Sequence, residues 1–211
     1  LAAAVGDRDI LIIADEIYRQ LVYTADFVSI LEVAPQLADR VVLIDGVSKT
    51  YAMTGWRIGY ACGPSEVIGA MSKLQGQMTS NACHAAQVAA EAALTQDQRC
   101  VSEMRDEYAL RLELMCRLLR DTPGVALIPP QGAFYVFPDV SAHIGSTSQD
   151  GQIIGNDLDL CDYLLDHAEI AVVPGSAFGA SGHLRMSYAC STREIEEGCR
   201  RLASALSQLT R

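Results

Sequence analysis

Lys49 follows the apolar run Val41-Val42-Leu43-Ile44 and the pair Asp45-Gly46, and Arg57 comes eight positions later, directly ahead of a second run that starts at Ile58. A lysine amine that forms imines with carbonyl compounds must be partly desolvated, so that it is neutral and nucleophilic. An arginine fixed close by offers a planar fork of donors that suits a phosphate. Taken alone, the two residues equally fit a solvated surface, where most lysines and arginines sit. Asp15 and Arg185 pose similar choices. Asp15 closes the run Ile10–Ala14, and an aspartate there is either a helix cap or a carboxylate offered to a ligand. Arg185 stands between Leu184 and Met186 as an ion-pair partner or as a grip for a planar anion.

The elements that must position these residues are legible in outline. The runs 10–14 and 41–44 are continuous, aliphatic and rich in β-branched residues, as buried strands of a parallel sheet are, and 58–62 is read as a third such strand. Polar residues cluster where these strands end, which in open α/β sheets is where ligands bind. Gly63-Pro64 stops the third run, and Ser65 is placed as the N-cap of a helix with Glu66 in its first turn. From Ala82 to about Leu119 the spacing predicts helix, with Val101, Met104, Tyr108, Leu112 and Met115 on one face. Asp121-Thr122-Pro123-Gly124 punctuates it. Short strands at 126–128, 133–137, 170–173 and 184–188 then alternate with helices near 157–168 and 192–209, and the Ser-, Gly- and Asp-rich stretch 145–155 is expected as a surface loop.

The segment Gly46-Val47-Ser48-Lys49-Thr50-Tyr51-Ala52-Met53-Thr54-Gly55-Trp56-Arg57-Ile58-Gly59 resembles the pyridoxal phosphate (PLP) attachment segment of the class I and II aminotransferases, which have fold type I. The resemblance implies that Lys49 is catalytic and carries the cofactor as a Schiff base, that Arg57 anchors its phosphate, and that Ser48 adds a phosphate donor. Many members have Ser three positions before the lysine; Gly46 stands there, so one phosphate contact is missing or replaced by a backbone N–H. Ala14-Asp15-Glu16-Ile17-Tyr18 resembles the family's Asp-Glu-x-Tyr segment. It implies that Asp15 faces the pyridine nitrogen, where a buried carboxylate raises the nitrogen's pKa, and that Tyr18 bonds the cofactor's 3-oxygen. Gly182-His183-Leu184-Arg185-Met186-Ser187-Tyr188 resembles the segment whose arginine grips the substrate α-carboxylate, which makes Arg185 the substrate-binding residue.

Pro130–Tyr135 and Val173–Gly179 are also similar to family segments; they are assigned no chemistry, and their small residues are taken to let a small domain close over substrate. Met78-Thr79-Ser80-Asn81 resembles a stretch that reaches across the family's dimer interface. Gly76 stands where dicarboxylate-specific members have an arginine, so that recognition device is absent.

The fold implied is α/β: the rear part of a PLP-dependent transferase large domain, a mostly parallel sheet with helices, plus a small α+β C-terminal domain. The divisions expected are 1–97, a connecting helix over 98–121, and 122–211. The activity implied is amino-group transfer between an amino acid and a 2-oxo acid, by a cytoplasmic enzyme that is a homodimer at full length. A PLP-dependent C–S or β-lyase would use the same lysine and arginines, and a transcription regulator could use this fold as a ligand-sensing module. The family's front half supplies a glycine-containing phosphate loop, an aromatic residue that stacks on the cofactor ring and an asparagine for the 3-oxygen. None is present here, and the chain opens at Leu1 as if cut. Weak PLP retention and a partly exposed sheet edge and apolar face are therefore expected.

Composition excludes other classes. Acidic residues outnumber basic ones 26 to 16, giving a net charge of −10, the wrong sign for a binder of nucleic acid. No apolar run approaches the roughly 20 residues that span a bilayer. Seven scattered cysteines without a Cys-x-x-Cys pair fit free thiols, and no metal site is assigned. The four histidines form no hydrolase arrangement that spacing can support, and the glycines at 175, 179 and 182 belong to a loop and not to a dinucleotide fingerprint.

Overall fold

The apolar runs that end in Asp15 and Gly46 become neighbouring parallel strands. In the computed structural model, which describes residues 2–6 and 8–210, the chain divides into two units, one running through Arg105 and the other from Asp106. The first unit contains, in order, α1 (Ala2–Val5), β1 (Ile12–Asp15), α2 (Ile30–Val33), β2 (Val41–Gly46), α3 (Val47–Thr50), β3 (Gly59–Cys62), α4 (Ser65–Met78) and α5 (His84–Thr95). The division between the units falls within α6 (Arg99–Arg120).

Strand β2 is central, with order β1-β2-β3. It runs parallel to β1, Asp15 opposite Ile44, and antiparallel to β3, Gly46 opposite Gly59. The third strand thus departs from the expected parallel arrangement. The connection 47–58 supplies only the one-turn α3 and a 3-10 turn at Thr54–Trp56, which reverse the chain; returning it to the start of the sheet takes a crossover of a dozen or more residues, usually a helix. Between β1 and β2 such a crossover does exist, and its α2 and the 3-10 turn Pro35–Arg40 bring Ala34 and Leu37 against Val5, Val41, Ile12 and Ala14.

Only one face of β1 is covered in this way. Ile12 and Ala14 pack inward, whereas Leu11, Ile13 and Asp15 are exposed, Ile13 to 70%. The continuous apolar run reads as a strand buried on both faces, and in this chain the second face is open. Helix α4 starts at Ser65 with Pro64 in the capping position, one residue earlier than the expected cap, because Pro suits the start of a helix where no N–H bond is needed. The single long helix expected over 82–119 is broken at 96–98. There Asp97 accepts the Arg99 N–H at 3.0 Å and the Gln98 side-chain amide donates to Ala93 O and Gln96 O, which ends α5 and restarts the helix as α6.

The second unit adds β4 (Tyr135–Val136), α7 (Asp157–Ala168), β5 (Val173–Pro174), β6 (Leu184–Ser187) and α8 (Thr192–Ser207), with an antiparallel sheet of order β4-β6-β5. The strand expected at 126–128 contributes only an isolated bridge, Ala126 to Asp139. Asn156 caps α7, and a reciprocal Ser191–Glu194 capping box starts α8. The two helices pack through Leu160, Leu164 and Leu202, all without solvent exposure, and the Tyr163 hydroxyl donates to Ala205 O at 3.0 Å. The stretch 145–155 is more ordered than a surface loop: Thr147 pairs with both Ile153 and Thr210, and Ser146 and Ser148 are buried. All seven cysteines are free, and among the described residues no helix is long and apolar enough to cross a membrane.

Leu164 and its neighbour Leu165 test this packing. Leu164→Ala should lower the unfolding free energy by about 2–5 kcal/mol, while Leu165→Ala, at a half-exposed position, should change it by less than about 0.5 kcal/mol. Urea midpoints at unchanged slope are the measurement; equal effects would place the α7–α8 core elsewhere.

Candidate active site

Three strand ends meet at one end of the first sheet. Asp15 is the last residue of β1, Lys49 follows the end of β2 by three residues, and Arg57 precedes the start of β3 by two. Because β3 is antiparallel and Gly59 lies opposite Gly46, its beginning adjoins the end of β2. A parallel third strand would have carried Arg57 to the opposite end.

Lys49 is partly buried on α3, and its Nζ lies 6.0 Å from the centroid of the Tyr18 ring. Ser48, also partly buried, precedes it on the same helical turn, and α3 packs against the turn that ends in Arg57. Arg57 is exposed, holds a left-handed backbone at φ 57°, and donates from Nη1 to Thr54 O at 2.8 Å. Ala52 is left-handed too, at φ 53°. Among the described residues, two of the five non-glycine residues with positive φ thus sit in this one connection, each at a cost of about 1–2 kcal/mol. Asp15 is exposed; its Oδ1 accepts the Ile17 N–H at 3.1 Å, which turns the chain toward Tyr18. The helix-cap alternative for Asp15 therefore becomes an Asx turn.

Gly46 has a steric reason. A Cβ there would lie 2.9 Å from Ile58 O, 3.0 Å from Gly59 Cα and 3.3 Å from Ile17 Cδ1, so a serine does not fit without backbone movement. Its N–H, a conceivable substitute phosphate donor, is already given to Asp45 Oδ1 at 2.7 Å.

Spacing alone missed four residues here. Asp45, whose side chain is 12% exposed, also receives the Tyr60 hydroxyl at 3.1 Å and pairs with Arg19 Nε at 3.0 Å. Burial, then the Asp45 charge and hydrogen bond, raise the Tyr60 pKa above that of an ordinary phenol. Glu16 is buried and accepts the Ser29 hydroxyl at 2.7 Å, tying the end of β1 to the start of α2. The only sequence hint was the charged residues that close the first two strands, Asp15-Glu16 and Asp45.

Arg185 belongs to the second unit. It sits on central β6, partly buried, with its guanidinium carbon 4.6 Å from the centroids of both Tyr135 and Phe178. Among the described residues no carboxylate pairs with it. Stacking on rings holds the guanidinium plane while leaving its edge donors for a planar anion. Tyr135 and Phe178 come from the two segments to which no chemistry had been assigned. Gly175 makes that turn possible: a Cβ there would lie 2.3 Å from Ala180 O.

The histidines do not build a hydrolase site. His167 Nε2 lies 3.6 Å from Asp150 Oδ2, and the Ser148 hydroxyl donates to the same carboxylate, so the acid stands between hydroxyl and imidazole and the imidazole cannot activate the serine. Among the described residues no group of His, Cys, Asp and Glu could hold a metal ion.

A partly buried lysine, a carboxylate and an arginine thus stand at converging strand ends of one α/β unit. The family model for aminotransferase class I and II matches residues 1–202. An aspartate/prephenate aminotransferase of Nitrosomonas europaea is 45% identical over 202 residues, covering 94% of this chain and 51% of that one. An aspartate aminotransferase of Streptomyces avermitilis is 43% identical, covering 96% and 50%. The crystal structure of an aspartate aminotransferase from Rhizobium meliloti superposes with a TM-score of 0.90 at 40% identity, over 95% of this chain and 50% of that one. The chain belongs to the class I and II aminotransferase family, and it spans about half the length of these relatives.

The strained connection yields opposite expectations for two substitutions. Gly46→Ala should destabilise by about 1–3 kcal/mol through overpacking against β3, and Ala52→Gly should raise stability by up to about 1 kcal/mol by relieving a left-handed alanine. Thermal midpoints of the two variants moving in the same direction would contradict the geometry.

Proposed function

We propose that the whole enzyme transfers an amino group between an amino acid and a 2-oxo acid with PLP as cofactor. The observation that carries this reading is the convergence of Asp15, Lys49 and Arg57 on one end of the sheet, with the Tyr18 ring beside the lysine. An amine, a carboxylate, a phenol, a hydroxyl and a guanidinium are the donor set that a phosphorylated pyridine aldehyde requires, so the residues present fit the group. When bound, PLP supplies an electron sink for the charge that develops at the substrate Cα.

The chain's own residues have separate tasks. Arg57, with Ser48, would hold the phosphate; Asp15 would face the pyridine nitrogen and keep its proton in place; the Tyr18 hydroxyl would donate to the 3-oxygen. Lys49 Nζ would hold the cofactor and would take the proton from the substrate Cα as general base. Arg185 grips the substrate α-carboxylate through its edge donors and fixes which Cα bond is broken. Names of the relatives, aspartate and aspartate/prephenate aminotransferases, make aspartate the first donor to assay, even though Gly76 lacks the distal arginine. The exposed apolar residues Met71, Leu74 and Met78 on α4 support a homodimer at full length, and the free cysteines fit a reducing cytoplasm.

The chain has two lysines, Lys49 and Lys73. Borohydride reduction in the presence of PLP, followed by peptide mapping, should place the pyridoxyl label on Lys49; a label confined to Lys73 would sink the assignment. In the whole enzyme Arg185→Lys should raise KM for the amino acid by about tenfold or more while labelling at Lys49 is unchanged. An amino group that leaves without any 2-oxo acid present would favour a lyase.

A further inference from the structure

We propose that Asp45 is a positioning residue: its carboxylate ties together the three segments that bear Tyr18, Lys49 and Arg57, and Arg19 holds that carboxylate in place. The inference rests on the cofactor reading of Lys49 given above. Oδ1 accepts the Gly46 N–H at 2.7 Å, and Gly46 is the N-cap of the turn that carries Lys49. Oδ2 accepts the Tyr60 hydroxyl at 3.1 Å, and Tyr60 lies on β3, three residues after Arg57. Oδ2 also pairs with Arg19 Nε at 3.0 Å, and Arg19 directly follows Tyr18. One side chain therefore reaches every segment that contributes a first-unit candidate residue.

The chemistry of this hub is restrictive. Its side chain is 12% exposed, so its charge is largely withdrawn from water and needs partners, while that of Arg19 is 45% exposed. An ion pair that half-open contributes little to global stability, so its effect should be local. All three partners donate to the carboxylate, one at one oxygen and two at the other. An asparagine would have to turn its NH2 toward the Gly46 N–H or toward Arg19, and neither can accept; only the Tyr60 hydroxyl can reverse its role. Asp45→Asn should therefore disturb the lysine turn, and removing Arg19 as well should relieve the conflict, because the new amide can then donate to Tyr60.

Lys73, exposed on α4, is the internal reference for a test in the full chain. Rates of pyridoxal phosphate labelling at Lys49 and Lys73 are measured by borohydride trapping and peptide mapping in the unaltered chain and in Arg19→Met, Asp45→Asn and the double variant. The Lys49:Lys73 ratio should fall by roughly threefold in Arg19→Met and by about tenfold in Asp45→Asn, and should return to the Arg19→Met value in the double variant. The thermal midpoint of Arg19→Met should stay where it is, which separates local positioning from unfolding. Unchanged ratios in both single variants, or a double variant no better than Asp45→Asn, would overturn the role of Asp45 while leaving the cofactor reading intact. An unaltered chain that labels Lys49 no faster than Lys73 would overturn both.

Discussion

The site depends on the chain reversing direction between Gly46 and Gly59. That reversal sets the end of one strand beside the beginning of the next, and so places Arg57, eight residues downstream of Lys49, at the same end of the sheet. It is sterically tight: Gly46 abuts the backbone of Ile58 and Gly59, and Ala52 and Arg57 take left-handed conformations that L residues avoid. Strain of this kind persists only where surrounding structure over-determines it. Here the pairing of β2 on both sides and the contacts of Asp45 do so.

Much of this arrangement was legible in the residues. Apolar runs of four or five residues marked the strands, because burial of apolar side chains is a local compositional signal, and the polar residues at their ends marked the functional edge. Strand direction was not legible. Whether β3 runs parallel or antiparallel is decided by how residues 47–58 turn, and nothing in its composition encodes direction. The break between α5 and α6 was missed for a related reason: Asp97 and Gln98 act through side-chain bonds to backbone, which leave the helical spacing of the apolar residues on either side undisturbed.

Contacts that join distant parts of the chain were the least visible. Arg19 and Asp45 are 26 positions apart, and Tyr135 and Phe178 reach Arg185 from two separate segments. No periodicity links such residues; only the folded register does. In the second unit the outcome is an arginine held by rings instead of by acids, which keeps its hydrogen-bonding edge uncommitted at modest electrostatic cost. The first unit uses the opposite device at Asp45, a carboxylate saturated with donors.

Strand β1 forms one margin of its sheet and presents Ile13 on its uncovered face. Unpaired backbone N–H and C=O groups beside a bare aliphatic residue make a template on which a further strand can grow. For this polypeptide on its own, solution behaviour should therefore be governed by crowding: dilute samples stay monodisperse, and concentrated ones associate by adding strands to that margin, a growth that a short β1-mimicking peptide would cap.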